Sequence, residues 1–281
     1  MNQPPASPSN APAPRVVSLC PAATDALCGF GAADLLVGRS PGCDHPASLR
    51  APVVEGPNRA VFADRLAALS PDIILAGPGH DQQVPAGCRL VPVSPTTIEG
   101  IFDAVLTVGR EVGRPADAGR MVVHLRDRFF AANEFVNPYD DGPLTVFLES
   151  AQPLVVSGDW IAQLIERAGA LHPLNPTTAR PTAGSGSGPQ FAERVAGRAV
   201  RVPDEVLAAI NPQRLILCAA AGGLEASRAI ARDLSGRRWW GGLRAVQSGH
   251  VALIDGTRTL HRPGPGVVEG YEWLVRWLAA S

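Results

Sequence analysis

One short pattern occurs twice in this chain, once on either side of its longest helical stretch. Asp64-Arg65-Leu66-Ala67-Ala68-Leu69-Ser70-Pro71 runs into Ile73-Ile74-Leu75, and Glu205-Val206-Leu207-Ala208-Ala209-Ile210-Asn211-Pro212 runs into Leu215-Ile216-Leu217. Each copy reads as the end of a helix, a stop at a polar residue and proline, and an apolar strand buried on both faces. Between the copies, Ala118, Met121, Val122, Leu125, Phe129 and Ala132 share one helical face. Pro115 suits the first position of that helix, and Asn137-Pro138 supplies its stop. Over Arg114 to Val136 the helix would run about 30 Å. On length alone it could be a crossover within one sheet. The repeated unit favours a spine between two similar lobes.

The rest of the chain alternates strands and helices. Arg15 to Leu19 reads as a strand, with Pro21 opening a helix that Gly31 closes. Leu35 to Gly38, Ile73 to Ala76 and Leu90 to Val93 read as further strands, and Thr96 with Glu99 as a capping box for a helix over 97–112. After the spine come a strand at Leu144 to Leu148 and a helix at Trp160 to Ala168. A helix over 203–210, a strand at Leu215 to Cys218, a helix over 224–234 and a strand at Val251 to Ile254 precede a C-terminal helix over 267–279. Residues 175–190, NPTTARPTAGSGSGPQ, read as a low-complexity loop. The expected organisation is a disordered tail over 1–14, an N-terminal α/β lobe over 15–113, a linking helix over 114–137 and a C-terminal α/β lobe over 138–281.

Composition excludes several functions. A net charge of −1 gives no reason to expect nucleic acid or an anionic membrane as a partner. The five cysteines, Cys20, Cys28, Cys43, Cys88 and Cys218, include no CxxC pair, which argues against a disulfide framework or a structural zinc site. No apolar run approaches the roughly 20 residues of a membrane span. Residues 1–14 lack a basic start and an apolar core, so they do not read as a signal peptide. A cytoplasmic monomer is expected from the chain as written, and a periplasmic or cell-surface protein if the true start lies upstream.

In α/β sheets, ligands collect beyond the carboxyl ends of the strands, and two such rims facing each other form a cleft for a small molecule. Cys43-Asp44-His45 is the most reactive-looking cluster on those rims. Three roles are open to it: a simple turn capped by Asp44, contact with a ligand or its metal, or nucleophilic catalysis. His80 lies in the glycine-rich break after a buried strand and is a second rim candidate. Neither Gly77-Pro78-Gly79 nor Gly184 to Gly188 has phosphate-loop spacing, and the Gly-x-Ser-x-Gly within the latter does not sit between a strand and a helix. With no HxxxH, HExxH or acidic metal run, no dedicated metal site is expected. Trp160, Trp239 and Trp240 offer indole faces for a flat ligand or mark the edge of the core.

Together these stretches resemble the cobalamin-binding members of the class III substrate-binding proteins of ABC importers. Arg15 to Asp25 is similar to that family's opening SLxPSxTE strand and helix, and Val37-Gly38 with Cys43-Asp44-His45-Pro46 to its VG and CDYP stretch. Leu66 to Leu75 resembles LxALxPDLVL, Glu149 and Val156 to Trp160 the LEW and VAGHW region, and Leu260 to Gly270 the FSRPGPRxVDG motif. The resemblance covers about residues 15–279. It implies two Rossmann-like α/β lobes joined by one long rigid helix, with the ligand cleft between them. It also implies non-enzymatic binding of cobalamin or a related corrinoid, with no intrinsic cofactor and an ABC transporter permease as a partner.

By position, Asp64 and Glu205 match the paired acids that dock onto transporter arginines. Ligand contacts are expected from Cys43, Asp44, His45, Asn58, His80, Glu149, Trp160, Asp255, His261 and Arg262, with His45, His80 or His261 reaching the metal. The chain departs from the family where Asn58, Ala199 and Gly77 stand in place of aromatic residues that grip the corrin. Haem or an iron–siderophore, met by Arg39, Arg59, Arg258 and Arg262, is the alternative ligand. An enzyme using Cys43 or His45 is the third reading.

Overall fold

A computed structural model describes residues 12–55, 59–79, 84–136, 142–180 and 193–280. The first half contains β1 (Val16–Leu19), α1 (Pro21–Gly29), β2 (Leu36–Arg39), α2 (Arg59–Ala68), β3 (Ile73–Ala76), β4 (Arg89–Pro92) and α3 (Ile98–Glu111). The long helix α4 (Pro115–Asn133) follows. The second half contains β5 (Thr145–Ala151), β6 (Leu154–Val156), α5 (Asp159–Arg167), β7 (Thr178–Arg180), β8 (Glu193–Val195) and β9 (Val200–Arg201). It continues with α6 (Asp204–Ile210), β10 (Arg214–Leu217), α7 (Gly223–Ser235), α8 (Arg244–Gln247), β11 (Val251–Leu253) and α9 (Val267–Ala279).

The first sheet is parallel, in the order β2-β1-β3-β4. The second runs β11-β10-β5-β6-β9, with β11, β10 and β5 parallel and β6 and β9 antiparallel. Strands β1, β3 and β10 are buried along their whole length; β3 is apolar throughout, while β1 and β10 also bury Ser18 and Arg214.

The repeated pattern folds the same way twice. In α2–β3 and α6–β10 the leucines Leu66 and Leu207 are fully buried. The polar residues Ser70 and Asn211 end the helices in the left-handed region, at φ 43° and 48°. Pro71 and Pro212 follow at once, and neither could continue a helix.

Helix α4 starts with proline at its first position and buries Ala118, Val122, Leu125, Phe129 and Ala132. Phe129 stacks on Tyr271 of α9, with centroids 4.1 Å apart, and meets Phe102 of α3 edge-on at 6.2 Å. Arg128 on α4 donates to both carboxylate oxygens of Glu272 on α9, at 2.8 and 2.7 Å. Gly109 of α3 lets α4 approach closely, since a Cβ there would lie 2.2 Å from the Ala118 Cβ. The spine is therefore packed into both halves. One apolar core runs from Leu27, Phe102 and Val105 through Phe129 to Leu164, Phe147 and Leu274.

Some local expectations need correction. The cap of α3 is Thr97, whose hydroxyl accepts from the Gly100 amide at 3.0 Å. Glu99 closes no capping box with Thr96; it pairs with Arg126 of α4 at 2.6 Å. Within the stretch read as a loop over 175–190, Thr178–Arg180 forms strand β7, paired antiparallel with β8. The antiparallel edge β6–β9 is a further addition. Its strands are two and three residues long, too short to carry a periodic signal.

Candidate functional site

The two halves meet at Arg262. It lies in the Leu260–Gly266 stretch before α9 and is 8% exposed, yet its side-chain partners among the described residues all belong to the first half. One guanidinium nitrogen donates to both oxygens of Asp25 on α1, at 3.3 and 3.2 Å. The other donates to Asp44 at 2.8 Å and to the Gly42 carbonyl at 3.3 Å. Glycine makes the approach possible: a Cβ on Gly264 would lie 3.1 Å from the Ala22 Cα and Cβ. A Cβ on Gly266 would lie 2.4 Å from the Arg258 carbonyl oxygen.

The two carboxylates of this network differ. Burial pushes the Asp25 carboxyl above its ordinary value, and the charge and hydrogen bonds of Arg262 only partly offset that. For Asp44 burial acts in the same direction, but the hydrogen bond and charge of Arg262 outweigh it and the net shift is downward. Exposure explains the difference, since the Asp25 side chain is 11% exposed and that of Asp44 62%.

Beside this tie lies a cavity of about 570 Å³ lined from both halves and from the spine. Asp25 and His45 line it from the first half, Met121 from α4, and Asp255, Arg258 and Glu269 from the second. His45 is partly exposed, with Nδ1 3.7 Å from an Asp25 oxygen. Asp255 accepts from the Thr257 amide at 3.1 Å and its hydroxyl at 2.6 Å, which folds the loop after β11 on itself.

The other named residues serve different ends. Cys43 is fully buried, with its thiol near Ser40 Oγ at 3.2 Å and the Ser18 carbonyl at 3.4 Å, so its side chain does not reach the cleft. That also removes it as a nucleophile toward a ligand there. Trp160 donates its indole N–H to the Leu260 carbonyl at 2.7 Å, holding the Arg262 segment in place. His261 has Nε2 2.8 Å from the Cys218 carbonyl and its ring edge on Phe147, which commits it to the same segment. Glu149 accepts from Ser157 at 2.5 Å on the second half's own rim. Arg262, expected to touch ligand, is hydrogen-bonded to Asp25 and Asp44. Asn58, His80 and the Gly184 to Gly188 run lie outside the described residues.

Asp64 on α2 and Glu205 on α6 are exposed, and neither forms an ion pair among the described residues. Asp25 was not singled out by sequence reasoning; the available signal was an acid one turn into the helix that follows the first strand. Among the described residues no cluster of three or more His, Cys, Asp or Glu is placed to hold a metal ion. No described helix is long and apolar enough to cross a membrane.

Comparison with known proteins bears on the fold and the family. A family profile described as "Periplasmic binding protein" matches residues 16–257. A cobalamin-binding protein of Halobacterium salinarum is 26% identical over 264 residues, which cover 91% of this chain. The match spans 66% of that relative's length. Among solved structures, the periplasmic vitamin B12 binding protein BtuF of Vibrio cholerae is similar with a TM-score of 0.69 at 20% identity, covering 95% of this chain and 97% of that one. The periplasmic heme-binding protein BhuT, in complex with two hemes, is similar with a TM-score of 0.70 at 20% identity, covering 95% and 98%. At these identities the two structures speak to fold alone. Two lobes joined by one long helix, matched by the profile over most of its length, make this chain a member of the periplasmic binding protein family.

Proposed function

We propose that the protein binds a corrinoid, without catalysis, in the cleft between its lobes. The observation that carries this reading is the charge of the interlobe cavity. Asp255 and Glu269 line it without an ion-pair partner among the described residues, together with His45 and the Arg262-paired Asp25, and Arg258 is the one arginine among its described lining residues. Two of the arginines that an anionic ligand would need are already spent. Arg39 donates to the Ala51 and Cys43 carbonyls at 3.0 and 2.8 Å, and Arg262 is held by Asp25 and Asp44. A lining with unpaired carboxylates repels haem propionates and anionic ferric catecholates, and it accepts hydrogen bonds from the neutral amide arms of a corrinoid. The name of the Halobacterium salinarum relative points to the same ligand.

Calorimetric titration with cyanocobalamin, haemin and a ferric tris-catecholate tests the reading. Saturable heat with cyanocobalamin alone is expected. Tighter binding of haemin or the ferric chelate would replace the corrinoid with an anionic ligand. The partner proposed for the loaded protein is an ABC transporter permease, met by Asp64 and Glu205 on equivalent helices of the two lobes. Charge reversal at either acid should leave stability within about 0.5 kcal/mol and cyanocobalamin affinity unchanged, while transport into reconstituted vesicles is lost. Unimpaired transport by the double reversal would remove the docking role.

A further inference from the structure

The corrinoid reading says nothing of whether the protein touches the metal, and the surroundings of His45 bear on that point. Of the described histidines, His45 is the one that lines the interlobe cavity. His261 has Nε2 on the Cys218 carbonyl, and the buried His172 has ring nitrogens 3.0 and 3.1 Å from the Thr145 and Ser157 carbonyls. On His45 the carboxylate of Asp25 lies toward Nδ1, 3.7 Å away, while Nε2 has no hydrogen-bond partner among the described residues. That separation is too long for a hydrogen bond, and it sets Asp25 against the Nδ1 edge of the ring, which leaves Nε2 as the nitrogen available to a ligand. Metal-binding histidines are commonly oriented in this way, by a carboxylate facing the nitrogen that does not ligate.

The loop that carries His45 is held on both sides. Arg39 binds the Cys43 carbonyl at 2.8 Å and Arg262 the Gly42 carbonyl at 3.3 Å. The Leu49 amide donates to the Pro46 carbonyl at 2.9 Å, and Cys43 is packed beneath. The backbone that presents the imidazole to the cavity is thus anchored from both halves, by Arg39 and by Arg262.

Resting on the corrinoid reading, we infer that His45 Nε2 coordinates the metal of the bound ligand, with Asp25 as its positioning residue and Arg262 holding Asp25. In the step itself a cobalt-bound water leaves, breaking a Co–O bond, and the Nε2 lone pair forms a Co–N bond. Cobalt stays trivalent, and no electron or proton is transferred.

Diaquacobinamide and dicyanocobinamide test this, because the first carries exchangeable water on both faces of the ring and the second carries cyanide on both. Binding of diaquacobinamide should shift its visible bands and be at least tenfold tighter than that of dicyanocobinamide. His45→Ala, a change at a partly exposed side chain, should abolish the shift and the difference while dicyanocobinamide still binds. Asp25→Asn should keep the shift and weaken diaquacobinamide about tenfold or more, with little change for dicyanocobinamide. Heat of binding with an unshifted spectrum would overturn the inference and leave the corrinoid reading standing. No heat with either compound would overturn both.

Discussion

Replacing Arg262 by Met removes the charge that ties the lobes and leaves Asp25, with a side chain 11% exposed, without its cation. Breaking a buried pair from one side costs about 3–5 kcal/mol, because the remaining charge stays desolvated. Asp44 adds little to that figure, since its side chain is 62% exposed and water can replace the guanidinium. The loss should depend on pH. The Asp25 carboxyl is already held above its ordinary value by burial, against the opposing pull of Arg262, and loss of Arg262 raises it further. A carboxyl with a raised folded-state value favours the native state below its unfolded value. That contribution is lost as pH rises through the folded value. The variant should therefore lose most stability at pH 8 and progressively less as Asp25 takes up its proton on the acid side. Urea unfolding of wild type and variant at pH 5 and pH 8 measures both effects. Asp25→Asn/Arg262→Met, which removes both charges, should recover most of the loss at pH 8. A cost below about 1 kcal/mol at pH 8, equal at both pH values, would refute the argument that this pair is a desolvated interlobe tie.

Gly109→Ala should destabilise by about 1–3 kcal/mol despite the better helix propensity of alanine, because the new methyl would meet Ala118 at 2.2 Å; thermal unfolding reads it. Burial pushes the Cys218 thiol up to about 12. Iodoacetamide at pH 8 should therefore leave Cys218 unmodified in the native protein and alkylate it in urea, as mass spectrometry of the peptides would show. Small-angle scattering of free and cyanocobalamin-saturated protein should give nearly the same radius of gyration, because α4 is packed into both halves and Arg262 joins them. A change of several ångströms would contradict a stiff spine.

What the sequence by itself determined was the local grammar. The twice-occurring helix, proline and strand, the spine with Pro115 at its head, and the limits of α9 follow from periodicity and from residues that stop helices, and these act over a few positions. The resemblance of the Leu260–Gly270 stretch identified a distinctive motif, but not what it does. Only the tertiary structure decided that Arg262 is bound to Asp25 and Asp44 of the other half, that Trp160 and His261 secure the same segment, and that Cys43 is closed off. It also chose Thr97 over Thr96 as the cap of α3, since Glu99 is drawn to Arg126 on the neighbouring helix. The physical reason is the same in each case. A long polar side chain bonds to whatever packing brings within about 3 Å, and those partners come from distant parts of the chain. Which charges are buried, and which remain free to meet a ligand, is set when the lobes close on the spine.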